Sequence, residues 1–69
     1  MTLSNQQRAA RCEQAIAAYS GDDAYTDLID FLADAMHWSR ANALDFEELL
    51  RVAERHYQTE IVEQIGVLP

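Results

Sequence analysis

Apolar residues recur at helical intervals along the whole chain. Ala9, Cys12, Ile16 and Tyr19 follow one another at steps of three, four and three, the spacing of a single α-helical face. Tyr25, Leu28, Ile29, Leu32, Ala35 and Met36 form a broader stripe, with Phe31 and Trp38 seven residues apart on a neighbouring face. Phe46, Leu50, Ala53, Tyr57 and Ile61 form a third stripe, edged by Leu49 and His56. No period-two alternation competes with these patterns, so the fold class is all-α, a three-helix domain.

The punctuation between the stripes fixes the helix ends. Ser4 with Gln7 three residues on reads as a capping box, and Gly21 as a stop, which predicts helix 1 over about 5–19. Asp22 and Asp23 are candidate N-caps for helix 2 over about 24–41, with Asn42 in the left-handed conformation that closes it. Helix 3 starts at Asp45. Its side chain can cap the Glu48 amide, Glu48 can reach back, and Leu44 and Leu49 suit a hydrophobic staple. Glu47 and Arg51 form a favourably oriented i,i+4 pair. Gly66 ends helix 3 at about 65, leaving Val67-Leu68-Pro69 as an apolar tail. Short loops make helices 2 and 3 an antiparallel hairpin, with helix 1 lying across it and less firmly packed.

Sixty-nine residues form one domain, 1–69, without room for a second core. A chain this short buries only about 60% of its unfolded surface. Cys12 is the only cysteine, which excludes an internal disulfide and suits a reducing cytoplasm. It is expected as a small core residue. The first residues are polar rather than signal-like, and no apolar run approaches the roughly 20 residues of a membrane span. A soluble, cytoplasmic protein is therefore expected.

Charge narrows the possible partners. Twelve acids against five bases give a net charge of −7, and all five bases are arginines. Nine of the acids fall between Glu13 and Glu48, a stretch in which Arg40 is the only base. Such a field repels nucleic acid and anionic membranes and attracts basic surfaces.

Within that stretch Asp27, Asp30, Asp34 and His37 recur at steps of three, four and three on one side of helix 2. Like charges so placed cost stability unless something offsets them. Three readings stay open: a solvated face, a docking strip for arginine and lysine, or a divalent-metal site. A metal site would need help from His56, Glu60 or Glu63 of helix 3, and no Glu-x-x-His pairing occurs there. Trp38 is the candidate interface anchor, unless helix 1 covers it. In His37-Trp38 and His56-Tyr57 the aromatic is expected to pack while the histidine lines the rim. No glycine-rich phosphate loop, Cys-x-x-Cys pair or nucleophile elbow occurs, and the chain is too small for a ligand pocket of roughly 300 Å³. No catalytic residue and no cofactor are assigned.

The run Asp27-Leu28-Ile29-Asp30-Phe31-Leu32-Ala33-Asp34-Ala35-Met36-His37-Trp38, then Asp45-Phe46, then Ala53-Glu54-Arg55-His56-Tyr57-Gln58-Thr59-Glu60 resembles short, uncharacterised helical proteins of bacteria, phages and plasmids. Ala43 stands where those proteins often have glycine before the Asp-Phe turn. The resemblance implies a mobile-element setting rather than an activity. A weaker resemblance is to all-α nucleotide pyrophosphohydrolases, echoed by Asp27-x-x-Asp30 and Asp34-x-x-His37. That family spreads its metal motifs over two helices, whereas both echoes here fall on one.

The functional expectation is an interaction module that docks a basic protein surface through Asp27, Asp30, Asp34, His37 and Trp38. An inhibitor mimicking nucleic-acid charge is a special case. The alternative is a metal-dependent hydrolase assembled as an oligomer. The thin stripe of helix 1 and the apolar surface of Phe31, Trp38 and Val67-Leu68 also point to a homodimer.

Overall fold

The computed structural model describes residues 3–21 and 23–65. The chain forms three α-helices, α1 (Asn5–Ile16), α2 (Ala24–Ala41) and α3 (Phe46–Ile65), and a 3₁₀ turn at Ala17–Tyr19 follows α1. The described residues contain no strand. Each helix touches the other two. Asp22 as a cap, Gly66 as a stop and the Val67-Leu68-Pro69 tail lie outside the described residues.

Each helix opens as its sequence dictates. The Ser4 hydroxyl accepts from the Gln7 amide at 3.1 Å while the Ser4 amide donates to Gln7 Oε1 at 2.8 Å, a complete capping box. Asp23 caps α2 by accepting from the Thr26 amide at 2.7 Å. That hydrogen bond is the main cause holding the Asp23 carboxyl below its ordinary value of 3.8. Asp45 Oδ1 accepts from the amides of Glu47 and Glu48 at 3.0 and 3.3 Å. Glu48 does not turn back to Asp45, and Arg51 does not take Glu47. Glu48 and Arg51 pair with each other across one turn instead, so the cation draws off the carboxylate that the reciprocal cap required.

The turn between α2 and α3 is a Schellman closure. The Leu44 amide donates to the Ser39 carbonyl at 2.8 Å and the Ala43 amide to the Arg40 carbonyl at 3.2 Å. The left-handed residue is Ala43, with φ 57°, and not Asn42 as expected from its side chain. Asn42 stays near φ −104° because its amide group caps the Trp38 carbonyl, donating at 2.8 Å. Beside this turn lies Ser39, only 3% exposed, whose hydroxyl donates back to the Ala35 carbonyl at 2.8 Å.

Helix 1 also ends differently from expectation. The α-helix tightens to 3₁₀ at Ala17, and Ser20 rather than Gly21 takes positive φ, at 26°. Gly21 serves close approach: its amide donates to Asp27 Oδ1 at 2.7 Å, and a Cβ there would stand 2.3 Å from that oxygen. At its other end α1 docks on α3 by polar contacts. Asn5 Nδ2 donates to the Glu60 carbonyl at 3.2 Å, and Arg8 Nε pairs with the Glu60 carboxylate at 3.3 Å.

The expected core does not close. No described apolar residue is buried, and Ser39 is the one described residue that is. Tyr25, Leu28, Ile29, Leu32 and Met36 of α2 and Leu49, Leu50 and Tyr57 of α3 are all exposed. Phe46, Ala35 and Ile61 reach half-burial. Cys12, expected inside, is exposed, because nothing packs over the middle of α1.

Two substitutions test the helix ends. Ala43→Gly should stabilise by about 0.5–1 kcal/mol, since it removes the left-handed penalty of a Cβ and restores part of it as unfolded-chain entropy. Asp45→Ala should cost about 1 kcal/mol. Thermal unfolding followed by circular dichroism should move the two midpoints in opposite directions. A lower midpoint for Ala43→Gly would contradict the closure described.

Candidate partner-binding surface on helix α2

The 3.6-residue repeat places Asp27, Asp30, Asp34 and His37 along one side of α2. Asp34, nine residues on from Tyr25, lies about half a turn from the apolar stripe at about 100° per residue. The acidic row and the stripe therefore look in opposite directions.

Two of the carboxylates are already engaged. Asp27, half-buried, accepts from the Gly21 amide. Asp34 accepts from the Tyr19 hydroxyl at 2.7 Å. The Tyr19 ring meets Phe31 edge-on, with centroids 6.0 Å apart and planes at 87°. The segment after α1 is thus pinned against α2 by two hydrogen bonds and one aromatic contact. Neutral donors, an amide N–H and a phenol O–H, partly offset the like-charge cost of the row. The sequence pattern placed Tyr19 on the stripe of helix 1 but could not pair it with Asp34. Gly21 had signalled only a stop.

The remaining members face solvent. Asp30 and His37 are exposed, and neither takes part in a described hydrogen bond or ion pair. Trp38 is 62% exposed and is not covered by helix 1. His37 and His56 do not sit at the rim of packed aromatics, since Trp38 and Tyr57 are themselves largely exposed. The segment after α1 meets α2 at Phe31 and Asp34 and does not cover Trp38.

Tyr19, Phe31, Asp34, Ala35 and Trp38 line an open groove of about 410 Å³. That exceeds the volume expected of so short a chain, because the groove is a cleft between the segment after α1 and α2 rather than an enclosed pocket. Three aromatic rings form its apolar walls and one carboxylate stands in it. Among the described residues no group of three or more His, Cys, Asp or Glu side chains converges in a way that could hold a metal ion. No protein-family model matches the chain, and no curated protein or solved structure is detectably similar to it.

The Tyr19–Asp34 bond has a titration signature. The hydrogen bond to Asp34, then desolvation, then the Asp34 and Asp30 charges raise the Tyr19 pKa above 10.0. The bond needs the protonated phenol. Its contribution is therefore full below pH 10 and lost as pH rises through the raised value. Subtracting the ultraviolet titration of Tyr19→Phe from that of the wild type should isolate one tyrosine with a midpoint above 10, and Asp34→Asn should bring it back towards 10. A wild-type midpoint at or below the ordinary value would show that the pair does not form.

Proposed function

We propose that this chain is a small interaction module that docks a basic protein surface through the acidic, aromatic-edged face of α2. One observation carries the reading: Trp38, largely exposed, shares an apolar groove with the Asp34 carboxylate. An arginine or lysine side chain suits such a groove. Its methylene stem lies against Phe31 and Ala35, and its cationic head meets the indole face and the carboxylate. Asp30 and His37 extend the contact along the helix. Asp27, one oxygen of which accepts from the Gly21 amide, adds charge at the start of the row.

The net charge of −7 supports a basic partner and disfavours nucleic acid or an anionic bilayer as the target. No described helix is long and apolar enough to cross a membrane. An inhibitor that imitates nucleic-acid charge is a special case of the same chemistry, since its target would present a phosphate-binding basic surface. The exposed, single thiol of Cys12 suits a reducing compartment such as the cytoplasm.

Trp38 is the only tryptophan, so its fluorescence reports on the groove directly. Titration with an arginine-rich peptide should change that fluorescence. Affinity should fall at least about tenfold between 0.1 and 1 M salt, as the Debye length shrinks from about 10 Å to about 3 Å. Asp30→Asn should weaken binding mainly through the on-rate while leaving every described hydrogen bond in place. Binding that ignores both salt and Asp30→Asn would refute the docking face. A melting shift of several degrees with a divalent ion, abolished by Asp34→Asn, would favour a metal site in its place.

A further inference from the structure

The apolar stripes of α2 and α3 lie open in the single chain, and the surface area indicates what covers them. The accessible surface is 6036 Å². A compact monomer of the same mass exposes about 4,400 Å². The excess over the whole chain is about 1,600 Å², an upper bound on what its stripes can hide, so two chains facing each other bury at most roughly 3,200 Å² together. That figure lies inside the range of about 2,000–5,000 Å² found for obligate homodimers and well above the roughly 800 Å² of chance contacts. The radius of gyration agrees: 14.3 Å, against about 11 Å for a compact domain of this length.

The surplus surface is of the right kind. Tyr25, Ile29 and Met36 on α2 are 76, 48 and 54% exposed, and Leu50 and Tyr57 on α3 are 55 and 58% exposed. Leu50, Ala53, Glu54 and Tyr57 border an open groove of about 400 Å³ with the small Ala53 between the two large side chains, where another helix can approach closely. Charge permits self-contact along α3. From Phe46 to Tyr57 the acids Glu47, Glu48 and Glu54 are nearly balanced by Arg51 and Arg55, in a chain that is otherwise strongly acidic. A foreign basic partner would favour the row of α2, whereas a nearly neutral apolar face suits an identical one.

We infer that the apolar stripes of α2 and α3 pack against the same stripes of a second copy, forming an isologous dimer whose core belongs to both chains. Two chains, each with one stripe on α2 and one on α3, bury all four stripes by facing each other. The acidic row lies on the far side of α2 and stays accessible, so this inference does not rest on the docking reading.

Sedimentation equilibrium of the full chain at tens of micromolar should give twice the 7.8 kDa chain mass. The melting midpoint and the helical circular dichroism should both fall on dilution, since folding is then tied to association. The double substitution Met36→Glu with Leu50→Glu alters two residues that are solvent-exposed in one chain. It should raise the dimer dissociation constant at least 100-fold and lower the midpoint, whereas a monomeric protein would tolerate it unchanged. Asp30→Asn, on the acidic row, should leave the mass untouched. The wild-type dilution series decides the matter even if the double variant does not fold. The chain mass at every concentration overturns the inference, whether that species is helical or unfolded, and an unfolded one would assign the stripes to a different protein. A mass above the dimer overturns it as well.

Discussion

Everything in this structure is conditioned by apolar area that one short chain cannot cover. Three amphipathic helices drawn from 69 residues present three stripes, and their few mutual contacts leave those stripes open. The contacts that hold the helices together are correspondingly polar and peripheral: Asn5 and Arg8 on Glu60, Gly21 on Asp27, Tyr19 on Asp34. Hydrogen bonds of this kind contribute about 0.5–1.5 kcal/mol each, and exposed ion pairs about 0–1. They fix how the helices are oriented but supply little of the drive to fold, which in a domain comes chiefly from hydrophobic burial.

The acidic row of α2 shows how a local cost becomes an architectural device. Asp27 and Asp34 repel Asp30 along the helix, yet each also accepts a hydrogen bond from the segment that follows α1. The row thus anchors Tyr19 and Gly21, the segment after α1, against α2. A cation arriving at Asp34 meets a carboxylate with free lone pairs, because the Tyr19 hydroxyl occupies only part of its capacity. On the docking reading proposed above, binding there would be linked to the position of Tyr19.

Helix boundaries were legible in the sequence because they depend on neighbours a few residues apart. Ser4 with Gln7, Asp23 with Thr26 and Asp45 with Glu48 are local pairs, and the structure forms all three caps. The errors at helix ends arose where two local options compete. Asn42 could enter the left-handed region or cap Trp38, and it caps, which passes the strained conformation to Ala43. Tertiary facts were less legible. Nothing in the spacing of Tyr19 names Asp34, fifteen residues on, as its acceptor. The exposure of Cys12 and Trp38 depends on how the helices pack, which no periodicity encodes. The stripes themselves were read correctly as apolar faces, but periodicity states only that a face is to be covered. It does not say whether the cover comes from the same chain.

That ambiguity bears on how one helix can serve two purposes. α2 carries an apolar stripe around Tyr25, Ile29 and Met36 and an acidic row around Asp30 and Asp34, half a turn apart. A helix buried on one side and charged on the other is ordinary. Here the charged side also has an aromatic edge, since Phe31 and Trp38 fall between stripe and row at positions seven residues apart. In a dimer closed over the stripes, the two acidic rows would point outward from a shared core, with Ala35 of each groove at the edge of the covered stripe. Two identical grooves on one rigid body raise the effective concentration of the second contact for any partner that presents basic side chains at matching separation. On the docking and dimer proposals together, modest single-site chemistry, one carboxylate and a few rings, would suffice for firm attachment to an extended or repeated basic surface, whereas an isolated arginine would be held weakly.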